Sequence, residues 1–260
     1  MDCEDQNNEN KKIRSIERAL NVLLCFTVET PALSMTEISE MVGIHKSTVH
    51  RILATLESKN FIRREPETGV YRLGFCLLQM ANLSLADVNI RHFSLPYMRL
   101  LNEEFRENVD LAIVDRDEVL FIDTFESTQP VKLAVSPGQH LPAYNSASGK
   151  AILAFLPNEE ALRIIKKHNH DIETQNQLKL EAFLEDLRVT RDRGYALDCE
   201  SLEVGVNAVA APIFGLKNKP IASLAIAGPA YRLDCELMQK MGEKLIATNL
   251  EISKKILQAS

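Results

Sequence analysis

From Ser15 onward the apolar residues recur at helical spacing. Ile16, Leu20, Leu23 and Leu24 fall at i, i+4, i+7 and i+8, which predicts an amphipathic helix over about Ser15–Val28. Thr30-Pro31 ends it. Ser34-Met35-Thr36-Glu37 is a capping-box pattern, in which the Ser34 hydroxyl accepts from the third helical amide and Glu37 reaches back. Ile38, Met41 and Val42 line the short helix that follows, and Gly43 suits its end. Val49, Ile52, Leu53 and Leu56 predict a third helix over about Lys46–Lys59. There the period changes from 3.6 to two. Phe61–Arg64 and Val70–Leu73 predict two short strands around the hairpin turn Glu65-Pro66-Glu67-Thr68-Gly69. Three short helices followed by a hairpin make a winged helix-turn-helix.

Two more helices are predicted next. One runs over about Gly74–Val88, with Leu78, Ala81, Leu85 and Val88 on one face. The other runs over about His92–Glu107, using Phe93, Tyr97, Leu100, Leu101 and Phe105. From Val109 the pattern is α/β. Val109, Leu111 and Ile113 alternate with Asp110 and Ala112, Asp115–Glu118 reads as a hairpin turn, and Val119–Asp123 and Val131–Val135 read as further strands. Ser148–Leu156, Glu159–His168 and Gln177–Arg193 read as helices. The strands Tyr195–Asp198, Ala208–Phe214 and Ile221–Ala227 follow, the last two apolar almost throughout, as central strands are. A helix over about Asp234–Leu257 closes the pattern. Residues 1–12 are polar and predicted to be a disordered tail.

Composition narrows the function. The 260 residues are 45% hydrophobic and 25% charged, ordinary values for a globular chain. No apolar run approaches the ~18 residues that span a bilayer. The acidic N-terminus is not a signal peptide, so a cytoplasmic protein with no membrane partner is expected. The five cysteines are scattered without a CxxC pair, so neither a disulfide framework nor a local zinc site is expected. The net charge of −6 argues against nucleic-acid binding until its distribution is considered. Residues 11–80 carry ten Lys/Arg against seven Asp/Glu, a basic module within an acidic chain.

That basic module holds the clearest chemistry. The third helix opens Lys46-Ser47-Thr48-Val49-His50-Arg51. Its apolar residues account for one face, leaving Lys46, Ser47, Thr48, His50 and Arg51 on the other. The first residues of such a helix enter the DNA major groove, where hydroxyls, Lys and Arg reach phosphates or base edges. The wing adds Arg63, Arg64 and Arg72, and Lys11, Lys12 and Arg14 could form a basic arm.

Enzyme chemistries fail by comparison. Ser148-Gly149-Lys150 is not a phosphate loop, because Tyr144 and Ala151 stand where Gly and Ser or Thr are required. No GxSxG elbow is present. Asp198, Glu200 and Glu203 read as a solvated cluster at a strand end. His140, His168 and His170 lack a ligand set. No catalytic residue, metal or cofactor is expected.

The same residues carry a family resemblance. Arg14-Ser15-Ile16-Glu17-Arg18-Ala19-Leu20, Thr36-Glu37-Ile38 with Lys46–Leu53, and Pro66–Gly74 resemble the first helix, the helix-turn-helix and the wing of the IclR-type transcriptional regulators. Ser146–Ala154, Arg193-Gly194-Tyr195-Ala196, Gly205 with Ala210-Ala211-Pro212, and Gly228-Pro229-Ala230 with Arg232-Leu233 resemble their second half. The resemblance spans about Arg14 to Ile256. It implies a two-domain α/β protein: a winged helix-turn-helix over 13–74, a linker helix over 75–90, and a GAF/profilin-like α/β effector-binding and oligomerisation domain over 91–260. It also implies homodimers or homotetramers, palindromic double-stranded operators and a small carboxylate effector.

Carried over residue by residue, the resemblance places the effector against Ala147, Ser148, Gly149, Asp198, Val206, Ala208, Ala225 and Ala227. The loop amides around Ser148 could receive a carboxylate. Positions that often hold Cys and two Ser in acid-binding members are Ala208, Ala225 and Ala227 here. That departure predicts a wider, less polar pocket suited to a carboxylate with an apolar or aromatic body. Alternatively these alanines are core packing, and the second half only oligomerises.

Overall fold

In a computed structural model, residues 13–27, 29–86, 89–131, 135–168 and 177–259 are described. The chain divides into two compact units, Met1–Asp87 and Val88–Ser260.

The first unit contains α1 (Arg14–Leu24), α2 (Met35–Val42), α3 (Lys46–Ser58), β1 (Ile62–Arg64), β2 (Tyr71–Leu73) and α4 (Phe75–Ala86). The capping box forms at α2: Ser34 Oγ accepts from the Glu37 amide at 3.3 Å, and Glu37 Oε2 accepts from the Ser34 amide at 2.7 Å. Gly43 ends α2 in the left-handed region, at φ 64°, where glycine pays no steric penalty. β1 and β2 pair antiparallel, with Ile62 opposite Leu73. The core is Val22, Ile38, Val49, Leu53, Ile62 and Tyr71.

The face expected to bury α1 is not the one that does. Val22 is buried and Leu23 half-buried, whereas Ile16, Leu20 and Leu24 are exposed. With Ile13 they form an open apolar stripe. Periodicity identifies an amphipathic helix but not which neighbour its apolar face meets. Along α4, Leu78 and Ala81 are likewise exposed. The side chain of Leu85, and Val88, lie outside the described residues.

The second unit contains α5 (Asn89–Phe105), β3 (Asn108–Asp115), β4 (Glu118–Phe125), β5 (His140–Pro142), α6 (Ala147–Leu153), α7 (Asn158–His168), α8 (Gln177–Arg193), β6 (Ala196–Cys199), β7 (Val206–Phe214), β8 (Pro220–Pro229) and α9 (Cys235–Ala259). Its six strands form one sheet in the order β5-β4-β3-β8-β7-β6, antiparallel at every pairing. The β3–β4 hairpin turns through Arg116 and Asp117, with Arg116 at φ 60°. α9 anchors to β7: the Asn249 side-chain amide donates to Ala211 O at 2.7 Å, and Ser253 Oγ accepts from the Phe214 amide at 2.9 Å. α6, α7 and α8 pack with Phe121, Ile152, Ile164, Ile165 and Leu187 into a second core.

β5 was not anticipated, since three residues give no usable alternation. The strand expected over Val131–Val135 falls largely outside the described residues. On α5, Ile90, Met98 and Leu101 are buried, Phe93, Tyr97 and Phe105 are half-buried, and Leu100 faces solvent.

Candidate functional site

The expected nucleic-acid face is exposed. His45 caps α3: its Nδ1 accepts from the Ser47 amide at 3.3 Å and lies 2.9 Å from the Ser47 hydroxyl. The first turn of α3 contains no acidic residue, so its positive end is unopposed. Lys46, Ser47, His50 and Arg51 are exposed, whereas Thr48 is half-buried. Thr48 and Arg51 border a groove of about 580 Å³ shared with Ile16, Leu20 and Leu23 of α1.

The wing arginines are braced unequally. Arg63 and Arg72 stand opposite each other across the hairpin, a repulsive arrangement. Glu65 relieves it by accepting from Arg72 Nε at 2.5 Å. The Arg72 guanidinium, followed by the Thr68 hydroxyl, holds the Glu65 carboxyl below the usual carboxylate range. Arg63 lies over the Phe75 ring, 5.1 Å from its centroid. Arg64 lies 5.7 Å from the Tyr71 centroid and donates to Gly69 O at 3.3 Å. Among the described residues neither Arg63 nor Arg64 forms an ion pair, whereas Arg72 shares its charge with Glu65.

A cavity of about 590 Å³ opens within the second unit. The strand register builds its floor. Directly opposite residues share a sheet face, as do residues two apart on one strand. One row across the sheet is Thr124, Asp110, Ala225, Ala210 and Ala196. The next is Asn108, Ala227, Ala208 and Asp198. Methyl groups therefore carpet the middle of this face, with Asp110 on β3 at one side and Asp198 on β6 at the other. The small side chains also let α6 settle close: Ala147, Ala151, Ala196, Ala210 and Ala225 form one packed cluster.

Of the eight residues assigned to the effector by resemblance, seven line this cavity: Ala147, Ser148, Asp198, Val206, Ala208, Ala225 and Ala227. Gly149 does not line it. A Cβ on Gly149 would sit 1.8 Å from Ala143 O, so its role is to let two backbones approach. Its amide is taken by Ser146 Oγ at 3.1 Å. The Ala147 and Ser148 amides have no acceptor among the described residues. Lys150 is buried and ties α6 to its neighbours, donating to Leu197 O at 2.6 Å and to Asp186 Oδ2 at 3.1 Å.

The cavity is more polar than its alanines predicted. Asp110, Gln139, Ser146 and Glu203 line it too, alongside Phe121, Val135, Leu141 and Leu202. Asp198 is not a solvated strand-end charge; it is buried, and its Oδ1 accepts from the Ser201 amide at 3.0 Å. Asp110 is 2% exposed. Burial pushes its carboxyl up to about 7, against a smaller opposing pull from the Thr124 hydroxyl. The sequence pattern sets Asp110 and Ala112 in alternation with Val109, Leu111 and Ile113 and gives Asp110 no role at the site.

Among the described residues, no group of three or more His, Cys, Asp or Glu side chains could hold a metal, and no helix is long and apolar enough to cross a membrane.

Two family descriptions match the chain: the IclR helix-turn-helix domain over residues 15–66 and the bacterial transcriptional regulator IclR C-terminal domain over residues 82–254. The chain is 31% identical over 243 residues to the HTH-type transcriptional regulator XynR of Escherichia coli, covering 93% of this chain and 96% of that one. It is 29% identical over 245 residues to the transcriptional repressor IclR of the same organism, covering 93% and 89%. The fold matches that of a Microbacterium hydrocarbonoxydans chain described as an IclR homolog complexed with 4-hydroxybenzoate. That match has a TM-score of 0.82 at 24% identity, covering 95% of this chain and 100% of the other. These relatives are named as regulators and repressors, not as enzymes.

Proposed function

The chain belongs to the IclR family of bacterial transcriptional regulators, and from that premise we propose that it is a cytoplasmic, metabolite-gated regulator of a palindromic operator. Lys46, Ser47, His50 and Arg51 at the head of α3 read the major groove, with Thr48 turned toward α1. Arg63 and Arg64 of the wing grip phosphate, and Arg72 adds less. The open stripe Ile13, Ile16, Leu20 and Leu24 supports self-association into a homodimer or homotetramer, since exposed apolar patches of this kind mark interaction surfaces. Several relatives are named repressors, and repression is the output expected here.

The effector is a small organic acid. The observation that carries this reading is the cavity itself, which gathers seven residues scattered over 81 positions of sequence around one space. The Ala147 and Ser148 amides supply hydrogen-bond donors for a carboxylate, and Phe121, Leu141 and Leu202 receive an apolar body. A fold neighbour described with 4-hydroxybenzoate bound agrees in ligand class. The effector acts by binding one arrangement of the protein better than another, because only such differential affinity shifts DNA binding.

The test is fluorescence anisotropy of the full-length protein on DNA flanking its own gene, with and without a panel of carboxylic acids. Sequence-specific binding that one acid changes is the expected result. Specific binding that no acid changes would leave the DNA reading standing and reduce the second unit to oligomerisation.

A further inference from the structure

We infer that Asp110 is the specificity-determining residue of the cavity, receiving a hydroxyl or ammonium group that the effector carries in addition to its carboxylate. The inference rests on reading the cavity as the effector site.

Asp110 sits on a central strand, between Thr124 on β4 and Ala225 on β8. Its Oδ1 is fully buried and has no hydrogen-bond partner among the described residues. Such a group is costly to maintain in a folded protein. Buried carboxyl groups are ordinarily paired, and an unpaired one calls for an explanation. Among the described residues, the lining of the cavity supplies no Lys, Arg or His to offset it. It supplies instead two further carboxyls, Asp198 and Glu203.

Alanine floors the space between Asp110 and Asp198, so no side chain meets Asp110 from that side; the Thr124 hydroxyl on the other side pulls on it weakly without closing a hydrogen bond to Oδ1. A ligand can close one. The described residues on the Asp110 side offer carboxyl groups and no cation, so that side favours a hydrogen-bond donor over the effector's own carboxylate. An effector therefore presents its carboxylate to the Ala147 and Ser148 amides and a hydrogen-bond donor to Asp110. That chemistry describes a hydroxy acid or an amino acid with a compact apolar body. Discrimination of this kind is strong, because an analogue without the donor leaves a buried acceptor unpaired. The alanines set the room available, and Asp110 sets the functional group.

The test is calorimetric titration of the full-length protein with matched probes: hexanoate, 6-hydroxyhexanoate and 6-aminohexanoate, then phenylacetate and 4-hydroxyphenylacetate. The donor-bearing members should bind the wild type about tenfold or more tightly than their parents. Asp110→Ala should erase that ratio while leaving affinity for the parent acids in place. Asp110→Asn, the closer isostere, should retain part of the hydroxyl preference and lose the ammonium preference; it also decides the matter if the alanine variant does not fold. Equal wild-type binding of parents and donor-bearing members would overturn this inference and leave the acid-effector reading intact. So would an equal loss of affinity for every probe in both variants, which is the mark of a merely structural role. Binding by none of the probes would overturn both readings.

Discussion

The two units display their polar groups in opposite ways. The cations on α3 and the wing stand in water, which satisfies them before any partner arrives. Asp110 lines a cavity where its Oδ1 has no hydrogen-bond partner among the described residues. A surface of the first kind binds through many separate, salt-sensitive contributions. A site of the second kind concentrates its selectivity in one group and stores the penalty of keeping it dry. Reading DNA and sensing a metabolite thus draw on different physics within one chain.

The largest effect should come from the support beneath the cavity. Gly149→Ala places a Cβ on the Ala143 backbone and should destabilise the second unit by on the order of 4 kcal/mol. Chemical denaturation monitored by circular dichroism reads this directly, and an unchanged midpoint would show that α6 is free to shift.

The next effect has a sign that runs against ordinary intuition. Asp110 has its carboxyl raised from 3.8 to about 7 in the folded protein. Between those values the folded state holds a proton that the unfolded state has lost, so stability falls as pH rises from about 4 to 7. Asp110→Asn removes that dependence. It should therefore stabilise the ligand-free protein by on the order of 2 kcal/mol at pH 8, with the gain vanishing near pH 4. A variant destabilised at both pH values would contradict the burial argument.

Smaller effects belong to the DNA face. Arg51→Ala should weaken operator binding by roughly 1–3 kcal/mol and relax preference at one base position. Arg64→Ala should weaken binding to all sequences alike and lower the salt slope by about one. Arg72→Ala should change the slope less than Arg64→Ala, since Glu65 already shares its charge. Equal slopes for the two variants would break the distinction drawn between them.

Much of the fold was legible because local signals agreed with tertiary structure. The capping box at Ser34, Gly43 at the end of α2 and the Glu65–Gly69 turn each specify backbone geometry within a few residues. The α/β alternation likewise located β3, β4 and the apolar strands β7 and β8. What failed required knowledge of the neighbours. The stripe on α1 was assigned to the core because hydrophobic spacing carries no information about whether a helix face meets its own chain. Asp110 stayed outside the predicted site because alternation looks the same whether a polar residue meets water or a cavity. Gly149 was assigned to the ligand although its absent side chain makes room for Ala143. The cavity residues emerged from the family resemblance, and the strand register then showed why alanines at 208, 225 and 227 leave a space.

The most direct test of the account fills that space and follows DNA binding. Ala208→Phe projects a ring from the cavity floor, far in sequence from the cations of α3. Anisotropy on the DNA flanking the gene should give wild-type affinity for the variant without effector, together with loss of the response to whichever acid shifts the wild type. An undiminished response in the variant would contradict the claim that this cavity gates the regulator.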